Sequence, residues 1–339
     1  MNLQKIPFFY RVLFGVVVLL INLDIQAQVA SPPLTANTAA DSPAVSGFRA
    51  FKTIGGYLNN RVIKGNGYET KLTEATYLLA THIIGPFYNE TIATTAVRST
   101  KYDIGTSRSK TIQSGKTNFA WKALEFISIG VCFIENKIKL IEETTVNGTV
   151  VDDYKSITDQ SALGIGSSMR IFDFIYIGGG YEEFSEESSS KVNNAWKNQF
   201  LGAGMIWQYS KDSGFRVEGS QISSSKSYKP ASGDGLKFKN DHNGYIQNKG
   251  EAEWKPFESF LLRWVILSDT QFLGGGIKLQ EVSNQFGLIG TTSTTFYDVP
   301  GIIMWGGFYT QGTLTMKDET GTSKQGNTQD LKFSLSFNW

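Results

Sequence analysis

The chain has 339 residues, with 32 Lys and Arg against 31 Asp and Glu, a balance that offers no argument for a nucleic-acid partner. Its 35 Gly, 7 Trp, 14 Tyr and 23 Phe at a mean hydropathy of -0.18 suit strands that are apolar on one face only. The single Cys132 excludes an internal disulfide and lies too far from the amino terminus for a lipoprotein anchor.

Taken in order, Lys5 and Arg11 precede an apolar run from Val12 to Ile21, and Asn22 to Gln28 follows it. This is the layout of a secretory signal peptide over residues 1–27, with Ala27 or Ala30 as the last residue removed. The run is about half the roughly 20 residues that a spanning helix requires. No later apolar stretch is long enough either, so membrane residence must be achieved by strands. Residues 28–47 are rich in Ala, Ser and Thr, with Pro32, Pro33 and Pro43, and read as a flexible segment. The remaining span, 48–339, is expected to be one barrel domain.

Phe51 to Leu58, Thr76 to Phe87 and Thr91 to Thr100 are candidate strands of weak pattern. The alternation sharpens in Leu124 to Ile134, where Ile127, Ile129, Val131 and Phe133 oppose Ser128, Gly130 and Cys132. Lys137 to Val146 and Thr149 to Lys155 flank Asn147-Gly148, a pair suited to a two-residue hairpin turn. Further strands are expected at Ser161 to Met169, Phe174 to Glu182, Gln199 to Tyr209 and Phe215 to Ile222. Beyond these come Tyr245 to Trp254, Phe260 to Leu267, Leu273 to Glu281, Phe286 to Phe296 and Ile302 to Met316. The Thr-rich Phe286 to Phe296 is the weakest of these and fits a loop or an inward excursion equally well.

Long polar stretches at Glu183 to Asn194, Ser223 to Gly244 and Lys317 to Asp330 read as extracellular loops. The tight turns near Asp173, Asp212 and Pro256 then face the periplasm. Gly178-Gly179-Gly180 and Gly274-Gly275-Gly276 read as backbone kinks that curve a barrel, since neither precedes a helix that could hold phosphate.

Catalysis has little support. His82 and His242 are the only histidines, His242 within the polar stretch Asn240 to Gly244 and His82 in an apolar one. Outer-membrane proteases share the Asp241-His242 adjacency, but the further paired carboxylates they need are not identifiable. No Gly-x-Ser-x-Gly, His-Glu-x-x-His or Walker sequence occurs. The expectation is a protein that is not an enzyme and needs neither a cofactor nor a metal. A water-filled lumen asks for less: the strand faces opposite the apolar ones supply Glu125, Arg216, Glu218, Arg263 and Lys278 as candidate lining residues. Arg263 is the most informative, because Phe260, Leu262, Trp264 and Ile266 set it on the opposite face. A charge at mid-depth on the lipid side would cost about 2 to 4 kcal/mol.

The last residues, Leu331 to Trp339, alternate Phe333, Leu335, Phe337 and Trp339 with Lys332, Ser334, Ser336 and Asn338. A terminal strand of this kind, ending on an aromatic, resembles the insertion signal of Gram-negative outer-membrane β-barrels. The resemblance implies a transmembrane antiparallel up-and-down β-barrel in the cell outer membrane; counting candidate strands gives about 13 to 15, and the even number usual in single-chain bacterial barrels sets the expectation at about 12, with 14 the next choice. It implies outer-membrane lipid and the barrel-assembly machinery as partners and Phe333, Leu335, Phe337 and Trp339 as the insertion signal. The function expected is a passive channel for small hydrophilic solutes. The rival is a closed structural or assembly barrel whose extracellular loops bind a protein partner or surface.

Overall fold

The computed structural model describes residues 52–339 except 66, 104, 147–148, 172–173, 189–192, 209–212, 230–242, 258, 273–276, 297–298 and 319–320. The expected signal peptide, the 28–47 segment, the Asn147-Gly148 turn, Gly274 to Gly276 and His242 lie outside the described residues.

Alternation of apolar and polar side chains over most of the chain produces fourteen strands. They are β1 (Thr53–Gly65), β2 (Tyr68–Ile84), β3 (Phe87–Tyr102), β4 (Thr106–Leu124), β5 (Ile127–Val146), β6 (Thr149–Ile171), β7 (Ile175–Ser188), β8 (Asn193–Gln208), β9 (Gly214–Lys229), β10 (Asn243–Phe257), β11 (Phe260–Phe272), β12 (Lys278–Phe296), β13 (Val299–Asp318) and β14 (Gly321–Asn338). Each pairs antiparallel with its neighbours in sequence, and β1 pairs with β14, so the sheet closes and leaves no free edge. Closure is continuous to the end of the chain, where Lys52 and Trp339 exchange backbone hydrogen bonds of 3.0 Å.

The expected count of 12 is therefore corrected to 14. Lys278 to Glu281, the described strand residues of the stretch expected at Leu273 to Glu281, and Phe286 to Phe296 are parts of one strand, β12, which pairs with β11 and β13 along its length. The polar Ser283-Asn284 interrupts its apolar rhythm without interrupting its ladder. In the other direction, Leu124 to Ile134 is broken by a turn at Glu125-Phe126, and the polar β4 was not expected over most of its length. The described parts of the stretches read as long loops are strand: β7 runs to Ser188, β9 to Lys229, and β14 begins at Gly321. Strands of 13 to 23 residues exceed the roughly 9 to 11 needed to cross a bilayer, and where both faces meet water alternation is no longer selected.

The outer wall has three zones. At the rim carrying the C-terminus, aromatic rings meet: Phe87 stacks on Trp121 across β3 and β4 at 6.3 Å, Phe174 meets Trp207 edge-on at 6.2 Å, and Phe337 stacks on Trp339 at the end of β14 at 5.5 Å between centroids. Above them lies an exposed apolar belt that includes Leu58, Phe133, Leu201, Trp264, Phe286 and Leu335. The belt ends at outward cross-strand polar pairs, Asn60 with Thr73 (3.2 Å), Ser161 with Ser185 (2.9 Å) and Gln221 with Asn248 (2.8 Å). On β11 the belt extends from Phe260 to Ser268, a height of about 20 Å at 3.3 Å per residue and a tilt near 40°, close to the apolar band of about 25 Å on outer-membrane barrels. An aromatic girdle below and a polar ring above mark the two interfaces of a bilayer.

Candidate functional site

The interior is the only other continuous surface this architecture builds, and alternation decides what faces it. Odd residues of β10 and β11 and even residues of β9 point inward, so the cross-strand pairs Arg216 with Glu253 and Glu253 with Arg263 become neighbours on the inner wall. Arg216 is 1% exposed. Its guanidinium donates to Glu218 at 2.6 Å, to Glu253 at 2.8 and 2.9 Å, and to Glu251. Arg263 lies 2.8 Å from Glu251 and 3.6 Å from Glu253, and Lys249 reaches Glu251 at 2.6 Å. Three cations thus face three carboxylates in one network. Desolvation of Arg216, Glu251 and Glu253 is offset by several charged contacts each, while Glu218 meets Arg216 and Lys249 meets Glu251.

The network continues around the wall through aromatic rings. Arg263 lies 5.9 Å from the Phe308 ring centroid, and Lys332 lies 5.8 Å from that ring and 3.6 Å from the Tyr57 ring. Tyr57 donates its hydroxyl to Glu74 at 2.7 Å. Two further ion pairs cross the interior: Arg61 of β1 binds Glu281 of β12, and Lys116 of β4 binds Glu182 of β7 at 2.9 Å. A polar relay runs from Ser114 to Asn136 (2.6 Å), on to Gln160 (3.1 Å) and to Glu186 (2.7 Å). Cys132 is fully buried in this wall, 3.7 Å from Glu182. It is a small inward residue, as expected.

Toward the C-terminal rim the interior changes character. Tyr176, Ile206, Leu261, Ile289 and Phe308 form one buried apolar cluster, with Met304 packed against it. These residues belong to β7, β8, β11, β12 and β13, so the cluster is held together by contacts that pass over β9 and β10. In a circular barrel of 14 strands spaced about 4.8 Å apart and tilted near 40°, strands three positions apart would be about 17 Å apart across the interior. Side chains of leucine and isoleucine do not reach that far. The wall is therefore drawn inward here, as it is where Lys116 meets Glu182. Gly287 makes part of the fit possible: it faces inward opposite Phe308, and a Cβ there would fall on the ring.

Arg216, Glu218 and Arg263 are where the sequence pattern places them, and the structure brings them together with Glu251, Glu253 and Lys249. Two expected lining residues are not there. Glu125 sits exposed in the turn between β4 and β5, because Leu124 closes β4 and the strand Glu125 was assigned to starts only at Ile127. Lys278 is the first residue of β12 and shares the outward parity of Val282 and Phe286, with its ammonium 5.3 Å from the Phe272 ring centroid. Its strand is longer than the apolar pattern suggested, and the face assignment slipped with it. Glu251 and Glu253 were legible in principle, since they alternate with Trp254 in a stretch already read as a strand. In the terminal strand, Phe333 and Leu335 point outward at 58% and 61% exposure, while Lys332 and Asn338 point inward.

A closed antiparallel barrel with a lipid-facing apolar belt and a charged interior is an integral β-barrel of the Gram-negative outer membrane. No protein-family model matches the chain, and no curated protein matches it. Solved structures do. A Pseudomonas aeruginosa FadL homologue is similar at a TM-score of 0.56 and 10% identity, over 91% of this chain and 96% of that one. The Ralstonia pickettii toluene transporter TbuX is similar at 0.52 and 8%, over 94% and 99%. The Pseudomonas putida toluene transporter TodX is similar at 0.52 and 10%, over 93% and 96%. Identities this low establish a shared outer-membrane barrel fold and nothing finer.

Proposed function

We propose that the barrel is a passive channel for small hydrophilic solutes, whose path runs along the charged inner wall and narrows at the apolar cluster. The observation that supports this is the compensated network of Arg216, Lys249 and Arg263 with Glu218, Glu251 and Glu253 on the inner face. Most of this network is enclosed in the wall, and the partly exposed Lys249 and Arg263 are the charged groups a polar solute would meet along it. Transport fits these side chains better than catalysis, because the ionisable groups brought together neutralise one another instead of leaving a base beside a nucleophile.

The test is single-channel conductance of detergent-purified protein in a planar bilayer. Discrete steps are expected, and Arg263→Glu is expected to shift their ion selectivity toward cations. Phe308→Ala, which removes the ring shared by the apolar cluster and the cationic groups, is expected to raise the unit conductance. The cluster also gives weight to a second reading, a closed barrel that acts through protein partners at the rim opposite the C-terminus. Folded protein that stays silent, with Phe308→Ala silent as well, would favour that reading.

A further inference from the structure

Where the apolar belt gives way to polar side chains, toward the rim opposite the C-terminus, the outer wall carries a groove of about 510 Å³ over β7, β8 and β9. The outward side chains that line it are Tyr181, Lys197, Gln199, Leu201, Gln221 and Ser223. Register sets their heights. Leu201 lies opposite Gln221, whose bond to Asn248 marks the upper end of the belt. Gln199 lies opposite Tyr181 and Ser223, and Lys197 opposite Glu183. From Leu201 to Lys197 the strand rises about 10 Å at 3.3 Å per residue and a tilt near 40°. The groove therefore begins at the edge of the hydrocarbon and ends in the headgroup layer, which adds about 5 to 8 Å on each side of a bilayer. Two side chains lean apart to open it. Leu201 leans toward β7, where a Cβ at Gly179 would lie 3.4 Å from its Cδ1, and Gln221 is held toward β10 by Asn248.

The lining restricts the occupant. At the lower end Leu201 and Tyr181 are 64% and 45% exposed, an apolar surface for a hydrocarbon chain. At the upper end Lys197 is the one charged side chain among the lining residues, so the head it complements is anionic. Its pair with Glu183 is 3.7 Å long, with the two side chains 59% and 62% exposed. Such a pair is weak and leaves the ammonium free to turn to a stronger acceptor, which a phosphate provides. Gln199, Gln221 and Ser223 add neutral donors between the two ends. A water-soluble anion would make no use of Leu201, and an uncharged amphiphile would make no use of Lys197. We infer that this groove is a binding site for a membrane lipid with an anionic phosphodiester head, one chain lying along Leu201 and the phosphate at Lys197. The site is on the outside of the barrel, so it holds whether or not the interior conducts.

The experiment is native mass spectrometry of the full folded protein, stripped of lipid in detergent and titrated with dimyristoylphosphatidylglycerol or dimyristoylphosphatidylcholine. One tight adduct is expected, with the anionic lipid bound about fivefold more strongly than the zwitterionic one. Lys197→Gln is expected to abolish that preference and Lys197→Arg to keep it. Leu201→Ser is expected to weaken both lipids about tenfold by removing the apolar foot of the groove. Lys71 of β2, also outward and 3.1 Å from a glutamate, Glu69, lies outside the groove, and Lys71→Gln is expected to change nothing. Resistance of the unheated protein to unfolding in sodium dodecyl sulfate checks that each variant is folded. A series of equivalent weak adducts in place of one tight adduct would overturn the site and leave only the general lipid coat of a barrel. So would a preference for the anionic lipid that survives Lys197→Gln, or one that Lys71→Gln removes equally.

Discussion

Arg216→Met isolates the central cation of the interior and should be the most damaging single change to the network. In the native barrel Arg216, Arg263 and Lys249 oppose Glu218, Glu251 and Glu253. Methionine fills comparable volume but leaves two cations against three carboxylates, with Glu218 and Glu251 6% and 4% exposed. Removing one partner of a buried pair costs about 3 to 5 kcal/mol. The lower half of that range is expected, because Arg263 and Lys249 still neutralise Glu251 and the contributions of a shared network do not add. Adding Glu218→Gln removes the carboxylate whose ion-pair partner was Arg216 and makes the count two against two, and the double variant should regain about half of the loss. The assay is reversible urea unfolding in lipid vesicles, followed by tryptophan fluorescence. A destabilisation below about 0.5 kcal/mol for Arg216→Met, or no recovery in the double variant, would refute the claim that this network is a buried, mutually compensating unit.

Gly287→Ala should cost about 1 to 3 kcal/mol by forcing the Phe308 ring from its place, and loss of that cost in Gly287→Ala with Phe308→Leu would tie it to the ring. Leu335→Arg places a charge on the exposed lipid face and should destabilise the folded barrel in vesicles by about 2 to 4 kcal/mol, with a smaller effect in detergent. Lys278→Ala, at the outward start of β12, should change stability by less than about 0.5 kcal/mol and leave ion selectivity unaltered, whereas a selectivity change would return that residue to the lumen.

The strand-by-strand alternation was legible wherever one face met lipid and the other did not. Ile127 to Phe133 and Phe260 to Ile266 show it, and both occupy the faces that their periodicity assigns. Alternation also fixed the inward direction of Arg216, Glu218 and Arg263, because a charged group on the lipid side at mid-depth is too costly. It failed where that contrast vanishes. In β4, in the outer parts of β7, β9 and β14, and at Ser283-Asn284 of β12, both faces carry polar groups, so only backbone pairing with the neighbouring strand marks the chain as extended. Those failures account for the strand count, for Glu125 and for Lys278.

Sequence by itself thus determined the class of architecture, a closed barrel for an outer membrane, since a period of two is a local property that the bilayer imposes on each strand separately. Which inward residues meet was decided by the tertiary structure alone. Arg216 and Glu251 lie 35 positions apart, Lys116 and Glu182 lie 66 apart, and Arg61 and Glu281 lie 220 apart. Their encounters depend on the register between strands, on closure of β1 against β14, and on a wall drawn inward from a circular section. None of these is a local property, because each arises from the ring of fourteen strands acting together.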